Sequence, residues 1–187
     1  LAIESHGHAS VRHDESSTLV MPYELWPASP ESKTDCAAPG TLLTRTSDGS
    51  LAAAARDVRF SNFPSLAPYH QDVLCLLHSG NLLRLADGSL LTTLYGKLER
   101  DEKKWLIFAA VSNDDGFTWH CRSTVANCDD APEAEEGPNE SAVQLLDNGD
   151  LLCVLRVSSN SDFYKSYSRD GGVTWSKPTH MEGMWSV

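Results

Sequence analysis

The chain contains an octapeptide that occurs twice. Ser112-Asn113-Asp114-Asp115-Gly116-Phe117-Thr118-Trp119 returns 56 residues on (168 − 112) as Ser168-Arg169-Asp170-Gly171-Gly172-Val173-Thr174-Trp175. Both copies fit S-x-D-x-G-x-T-W. A fixed internal repeat implies repeated architecture, with each copy doing the same local task. Strand-like runs precede both copies, Trp105 to Val111 and Phe163 to Tyr167. The shared Gly supplies the positive φ of a tight hairpin turn. The shared Asp is short enough to accept hydrogen bonds from turn amides, and the Ser and Thr hydroxyls complete the lock. The Trp then serves as an apolar anchor on the next layer. Each of these tasks is structural, so the motif points to scaffold rather than to chemistry.

A looser repeat lies around it. Leu42 to Leu51, Leu82 to Leu91 and Val143 to Leu152 each read as an apolar run, a D-G or N-G turn and a second apolar run. That is the sequence form of a β-hairpin. In the last two cases a further strand and the octapeptide follow. The unit then has about four strands, as a propeller blade requires.

The octapeptides resemble the Asp boxes of sialidases and of the wider sialidase-like repeat family. The likeness is strongest from Gly137 to Trp175: Gly137-Pro138-Asn139-Glu140, the hairpin, Leu155-Arg156, then Tyr164 to Ser168 leading into the box. His78 to Trp119 is also similar to a blade of that family. The resemblance implies an all-β fold, a six-bladed β-propeller in the full protein, with only about three to four blades in this chain. The expected division is an N-terminal segment (1–35), a blade (36–77), a blade with its Asp box (78–128), another blade with its Asp box (137–180), and the start of a further one (181–187). A blade takes roughly 40–50 residues, so 187 residues cannot close a six-bladed ring. The chain is therefore expected to be part of a longer polypeptide; a complete small fold with fewer blades is the alternative.

Composition narrows the function classes. A net charge of −11 disfavours nucleic acid, whose phosphates need a basic surface. It also means that an anionic sugar could be held only by a local arginine cluster. No run approaches the 18 or so apolar residues of a membrane span. Residues 1–20 show no signal peptide, and the compartment stays open, secretion being one option. His6, His8 and His13 lack the accompanying ligands of a metal site and read as a solvated segment, with Pro27, Pro30 and Pro39 marking loop. The acidic run Asp129 to Glu136 reads as a solvated loop, with calcium as the alternative. Of five cysteines, Cys75 and Cys153 sit in apolar runs, while Cys121 and Cys128 flank a short loop and could pair in an oxidising compartment.

The resemblance also implies a chemistry. Sialidases are the glycosidases that use a Tyr nucleophile, with a carboxylate to take its proton. A second carboxylate protonates the leaving oxygen, and arginine forks grip the sugar carboxylate. Carried over, Glu140 is the base and Arg156 a carboxylate-binding residue, and a structural ion pair is the competing reading. Asp101 is the candidate acid, and Asp57 competes with it. Tyr164 and Tyr167 read as packing residues. Where the family opens its first blade with an Arg before a Pro, this chain has Ala37-Ala38-Pro39. The implied activity is an exo-sialidase-like hydrolysis of a sialylated or other acidic glycan, with no cofactor and no metal. A non-catalytic propeller that binds carbohydrate or protein is the alternative.

Overall fold

The computed structural model describes residues 9–12, 16–21, 23–67 and 76–185. These residues are almost wholly β. Ten strands precede residue 127: β1 (Ala9–Arg12), β2 (Ser17–Met21), β3 (Glu24–Pro27), β4 (Cys36–Arg45), β5 (Leu51–Ser61), β6 (Leu66–Ala67), β7 (Leu76–Arg84), β8 (Leu90–Leu98), β9 (Asp101–Ser112) and β10 (Thr118–Ala126). After a single 3-10 turn at Cys128–Asp130 come β11 (Ser141–Leu145), β12 (Leu151–Leu155), β13 (Asp162–Ser168) and β14 (Thr179–Trp185). No helix among the described residues is long and apolar enough to cross a membrane.

Two sheets result. The strands β11 to β14 form a four-stranded antiparallel meander. The strands β7 to β10 form another antiparallel meander, but it does not stand alone. Its first strand β7 pairs with β3, and its last strand β10 pairs in parallel with β5 at Thr118↔Arg59. Because β3 and β5 both pair with β4, seven strands close into a ring. The hairpin β4–β5 of the expected 36–77 unit is thus hydrogen-bonded on both sides to strands of its neighbours. Closure leaves these strands without an open edge. Within the ring β8 is buried on both faces from Leu90 to Gly96, and its polar members are satisfied, Thr92 Oγ1 donating to Asn81 O and Thr93 Oγ1 accepting from Ser141 Oγ. By contrast β12 alternates buried and half-buried residues, as a strand with one core face does.

Three apolar clusters hold the parts together. Inside the ring lie Leu19, Leu25, Val58, Phe60, Phe108 and Trp119. A second cluster joins ring and meander through Tyr95, Ile107, Cys153, Leu155 and Tyr164. The third is Leu91, Val143 and Leu151. A side-chain seam reinforces it: the Asn81 amide donates to Val143 O and accepts from Val143 N at 3.1 Å, so one side chain stands in for a strand neighbour.

Both octapeptides fold as anticipated, between the third and fourth strands of their meanders. Ser112 Oγ donates to Asp114 Oδ1 (2.8 Å) and accepts from Gly116 N (2.9 Å). Asp114 accepts from Thr118 N (2.8 Å) and Thr118 Oγ1 (2.6 Å). The second copy repeats each bond with Ser168, Asp170, Gly172 and Thr174. The Thr174 hydroxyl and amide, with Ser168, hold the Asp170 carboxyl down at about 2. Gly116 and Gly172 adopt φ of 95° and 86°. The residue before each Gly is also left-handed, at 57° for Asp115 and 68° for Gly171, two residue types that tolerate this region. The two Trp residues differ in their placement. Trp119 opens β10, whereas Trp175 lies in a longer connection before β14 and donates to Ser123 Oγ at 3.1 Å.

Several expectations are corrected. Pro27 and Pro39 lie in β3 and β4, not in loop. Pro39 is tolerated because β3 pairs with residues 36–37 and β2 with residues 41–44, so neither faces position 39. Cys121 and Cys128 are not joined in a disulfide. They are separated by the rest of an extended strand, roughly 17 Å up to residue 126, far more than a disulfide spans. Cys153 is a buried free thiol held up at about 12 by burial. Cys36 is the residue found in a disulfide. Cys75, His6, His8 and His13 lie outside the described residues.

Candidate active site

The hairpin β11–β12 turns at Leu146 to Asp150, where Leu146 N donates to Asp150 O at 2.9 Å. Its ladder runs past the strand ends. Arg156 N donates to Glu140 O, and Asn139 N donates to Arg156 O, both at 2.9 Å. Glu140 and Arg156 therefore stand directly opposite one another, at the end of the meander away from its Asp box. Asn139 is buried and fixes the approach, its Oδ1 accepting from Glu140 N at 2.8 Å.

The two side chains go different ways. The Arg156 guanidinium donates from both terminal nitrogens to Glu136, at 2.8 and 3.2 Å. It also donates to Asn139 Oδ1 (3.2 Å) and Ser159 Oγ (2.6 Å). Its side chain is 16% exposed, so the fork is mostly buried and already filled by an internal carboxylate. Burial works against ionisation of Glu136, but the Arg156 fork and the Ser159 amide more than offset it, and its carboxyl lies below the usual range. Glu140 is exposed, and its carboxylate has no hydrogen-bond partner among the described residues.

Asp101 is the first residue of β9, opposite Leu98 across the β8–β9 turn. It occupies the end of its meander away from the first Asp box, as Glu140 and Arg156 do in theirs; its side chain is outside the described residues. Asp57 lies in β5 opposite Pro39 and is exposed. Of the tyrosines, Tyr95 packs edge-on against Trp105 and bonds the Tyr23 hydroxyl. Tyr167 is half-buried on β13.

Tyr164 has a larger part than sequence reasoning assigned it. Its hydroxyl donates to Glu133 Oε1 at 2.6 Å and lies 2.7 Å from His180 Nε2. These three groups border a cleft of about 490 Å³, whose wall also includes Glu136, Ser159 and Asp162. Burial, then the Glu133 carboxylate, pushes the Tyr164 phenol up, so it is a proton donor at neutral pH and not a phenolate. The Tyr164 hydrogen bond holds Glu133 below the usual carboxylate range. Glu133 and Glu136 come from the acidic run that reads as solvated loop. Instead they anchor Tyr164 and Arg156. Among the described residues no group of three or more His, Cys, Asp or Glu side chains could hold a metal ion.

The segment carrying these carboxylates is clipped to β9 by Trp105 N donating to Glu136 O at 2.8 Å. Gly137 follows at φ 77°, where an added Cβ would sit 2.7 Å from Trp105 O. Backbone cannot yield cheaply to such a clash. Gly137→Ala is expected to destabilise the chain by about 2–4 kcal/mol through strain and overpacking, read as a lower urea midpoint with an unchanged m-value. An unshifted midpoint would show that this clip is not rigid.

Comparison with known proteins gives the fold a context. The family profile described as a BNR repeat-like domain matches residues 16–183. Among solved structures, a protein of unknown function from Dyadobacter fermentans is similar at 18% identity and a TM-score of 0.59, covering 95% of this chain and 50% of that one. A Hadza microbial sialidase is similar at 15% identity and a TM-score of 0.57, covering 96% of this chain and 34% of that one. The chain thus spans about half or less of the length of these solved proteins. No curated protein matches it.

Proposed function

The chain belongs to the family of BNR repeat-like domains, and from that premise we propose that it supplies part of a sialidase-type β-propeller with exo-sialidase-like glycosidase activity. The substrate class is a glycan ending in sialic acid or a related acidic sugar. In this reading β7–β10 and β11–β14 are two blades, β4–β5 belongs to a third, and the whole protein has six. The observation that carries it is Glu140: an exposed, unengaged carboxylate held directly opposite Arg156. Glu140 acts as the base, Asp101 as the acid at the leaving oxygen, and Arg156 as a contact to the sugar carboxylate.

One observation favours a second reading. The Arg156 fork is occupied by Glu136, so an incoming carboxylate would have to displace an internal one. A propeller that binds glycan or protein without cleaving it needs no such exchange.

The test uses the full-length protein and a fluorogenic sialoside. Glu140→Gln is expected to lower kcat about a hundredfold or more, the usual worth of a general base, while the melting temperature stays within a few degrees. Unchanged kcat would remove Glu140 from the mechanism. No release by the unaltered protein, with sialoside binding intact, would establish the binding-only reading.

A further inference from the structure

The ring has no open edge, but the β4–β5 hairpin runs past it. The strand β5 pairs with β4 along its length, from Leu51 to Phe60. On its other side β10 reaches it only at residues 59–61. Residues 51–57 therefore form the last strand of a local sheet, β1–β2–β4–β5, with no strand beyond them among the described residues.

Alternation of the ladder decides which backbone groups are left over. Thr46 N donates to Ser50 O at 2.9 Å, and the same register turns Ala52, Ala54 and Arg56 toward β4. The N–H and C=O of Leu51, Ala53, Ala55 and Asp57 therefore point outward. Those of Arg59 do so too, and its N donates outward to Phe117 O at 2.9 Å. The Arg56 guanidinium covers Ala55 O at 2.9 Å. The other outward groups of residues 51–57 have no partner among the described residues. Leu51 to Ala55 also carries no charge and no proline, the usual guards of such an edge, and Leu51 is 62% exposed.

We propose that this edge pairs with the same edge of a second copy of this chain, antiparallel about a two-fold axis at Ala53. Register selects that occupant first. Outward-pointing residues must bond outward-pointing residues. With the axis at Ala53, Ala53 meets the partner's Ala53 and Leu51 meets the partner's Ala55, all of them outward. Length selects it next. Because β10 takes over the edge at Arg59, an incoming strand has to end before that point. A second β5 does so, since the chain reverses at Asp48-Gly49, where Gly49 has a φ of 84°. Charge agrees. A net charge of −11 opposes self-association in general. Residues 45–59, however, hold three Arg and two Asp, a local balance of 3 − 2 = +1. Arg56 lies opposite the partner's Ser50 and diagonal to the partner's Asp48. Its guanidinium exchanges the Ala55 carbonyl for a carboxylate and so uncovers the edge. The contact is smaller than the roughly 1,200 Å² at which standard interfaces begin, so the dimer is weak and reversible. None of this depends on the reading given under Proposed function.

The experiment is sedimentation velocity of the full-length protein over about a hundredfold range of concentration, where mass action reveals a dimer. Hydrogen exchange across residues 51–57 is followed in parallel. The expected result is a monomer–dimer equilibrium in which that exchange slows as dimer forms. Ala53→Pro removes an N–H that β4 does not use, so the hairpin persists. It is expected to weaken the dimer about tenfold or more, the usual worth of one or two lost hydrogen bonds. Ala53→Lys puts two like charges face to face at the axis and is expected to weaken it similarly, by a route that does not strain the backbone. Arg56→Glu, facing the partner's Asp48, is expected to weaken it as well. At the lowest concentration all three variants are expected to melt within a few degrees of the unaltered protein. A monomer at every concentration, or a dimer that neither Ala53 variant weakens, overturns the proposal. So does slow exchange at residues 51–57 in a monomer, which would mean that another segment of the same polypeptide covers the edge. Growth beyond the dimer overturns it too, because a two-fold contact closes on itself.

Discussion

Replacing Trp119 by alanine is expected to remove about 3–5 kcal/mol of stability, the usual loss for a large aromatic truncated in a core. Trp119 is fully buried. Its ring lies parallel to that of Phe60, with centroids 5.9 Å apart, so the truncation also ends a stacking contact across the β5–β10 seam. The indole N–H donates to Gly116 O at 2.8 Å, and that carbonyl would be left without its donor. Trp175, which occupies the same place in the second octapeptide, is only half-buried and donates to Ser123 Oγ instead. Trp175→Ala is therefore expected to cost about 1–2 kcal/mol, in proportion to the smaller area lost. Urea unfolding of the two variants decides the matter. Equal losses would mean that the two copies are energetically interchangeable and that ring closure at β5–β10 adds nothing.

The contrast between the two Trp residues marks where sequence reasoning reaches its limit. The turns of the octapeptides and of the D-G and N-G hairpins are local: the bonds that lock them join residues within about five positions, so composition and spacing reveal them. The all-β class and the strands on either side of Asp114 and Asp170 follow directly. The ring is not local. Its closure depends on a parallel contact between Thr118 and Arg59 and on short β3 bridging β4 and β7. Neither segment carries a signal beyond a few apolar residues. Pro27 and Pro39 mislead for a related reason, since a proline breaks a strand only where a neighbour needs its amide, and that neighbour is unknown from sequence.

The candidate site divides in the same way. The opposition of Glu140 and Arg156 is legible because a hairpin of known turn fixes its own register. What Arg156 bonds to is not legible. Glu136 and Ser159 reach it from segments outside the hairpin, and an acidic run such as Asp129 to Glu136 looks solvated until its folded neighbours are known. Glu133, Tyr164 and His180 meet only because the β13–β14 pairing sets Tyr164 opposite His180. Tyr164 does show the period-2 burial of a core strand, which supports its assignment to packing, but that pattern says nothing of what its hydroxyl touches.

Acidification from pH 7 to pH 5 is expected to cost about 2 kcal/mol through His78 alone. This side chain is fully buried on β7, and burial drives its pKa from 6.5 down to about 4. The Thr92 hydroxyl donates to Asn81 O at 2.7 Å, so toward His78 Nε2, 2.9 Å away, it can only accept. The imidazole is thus neutral with its proton on Nε2. Above pH 6.5 the folded and unfolded chains both hold His78 neutral, and its full contribution is present. As pH falls below 6.5 the unfolded chain takes up a proton that the folded chain refuses, and stability declines by about 1.4 kcal/mol per pH unit. The decline from this group ends near pH 4, where the folded state is protonated as well. The Asp-box carboxylates are lowered rather than raised, so their stability is lost only below the usual carboxylate range. The interval from 6.5 to 5 therefore separates His78 from these carboxylates. Urea midpoints at pH 7 and pH 5 should differ for the unaltered chain and should nearly coincide for His78→Gln, whose amide can still donate to Thr92. Because His78 N also donates to Tyr23 O at 2.8 Å, just before β3, the residue lies where β3 and β7 close the ring. Equal pH slopes in the two proteins would show that this seam admits water and that the histidine is not sealed in it.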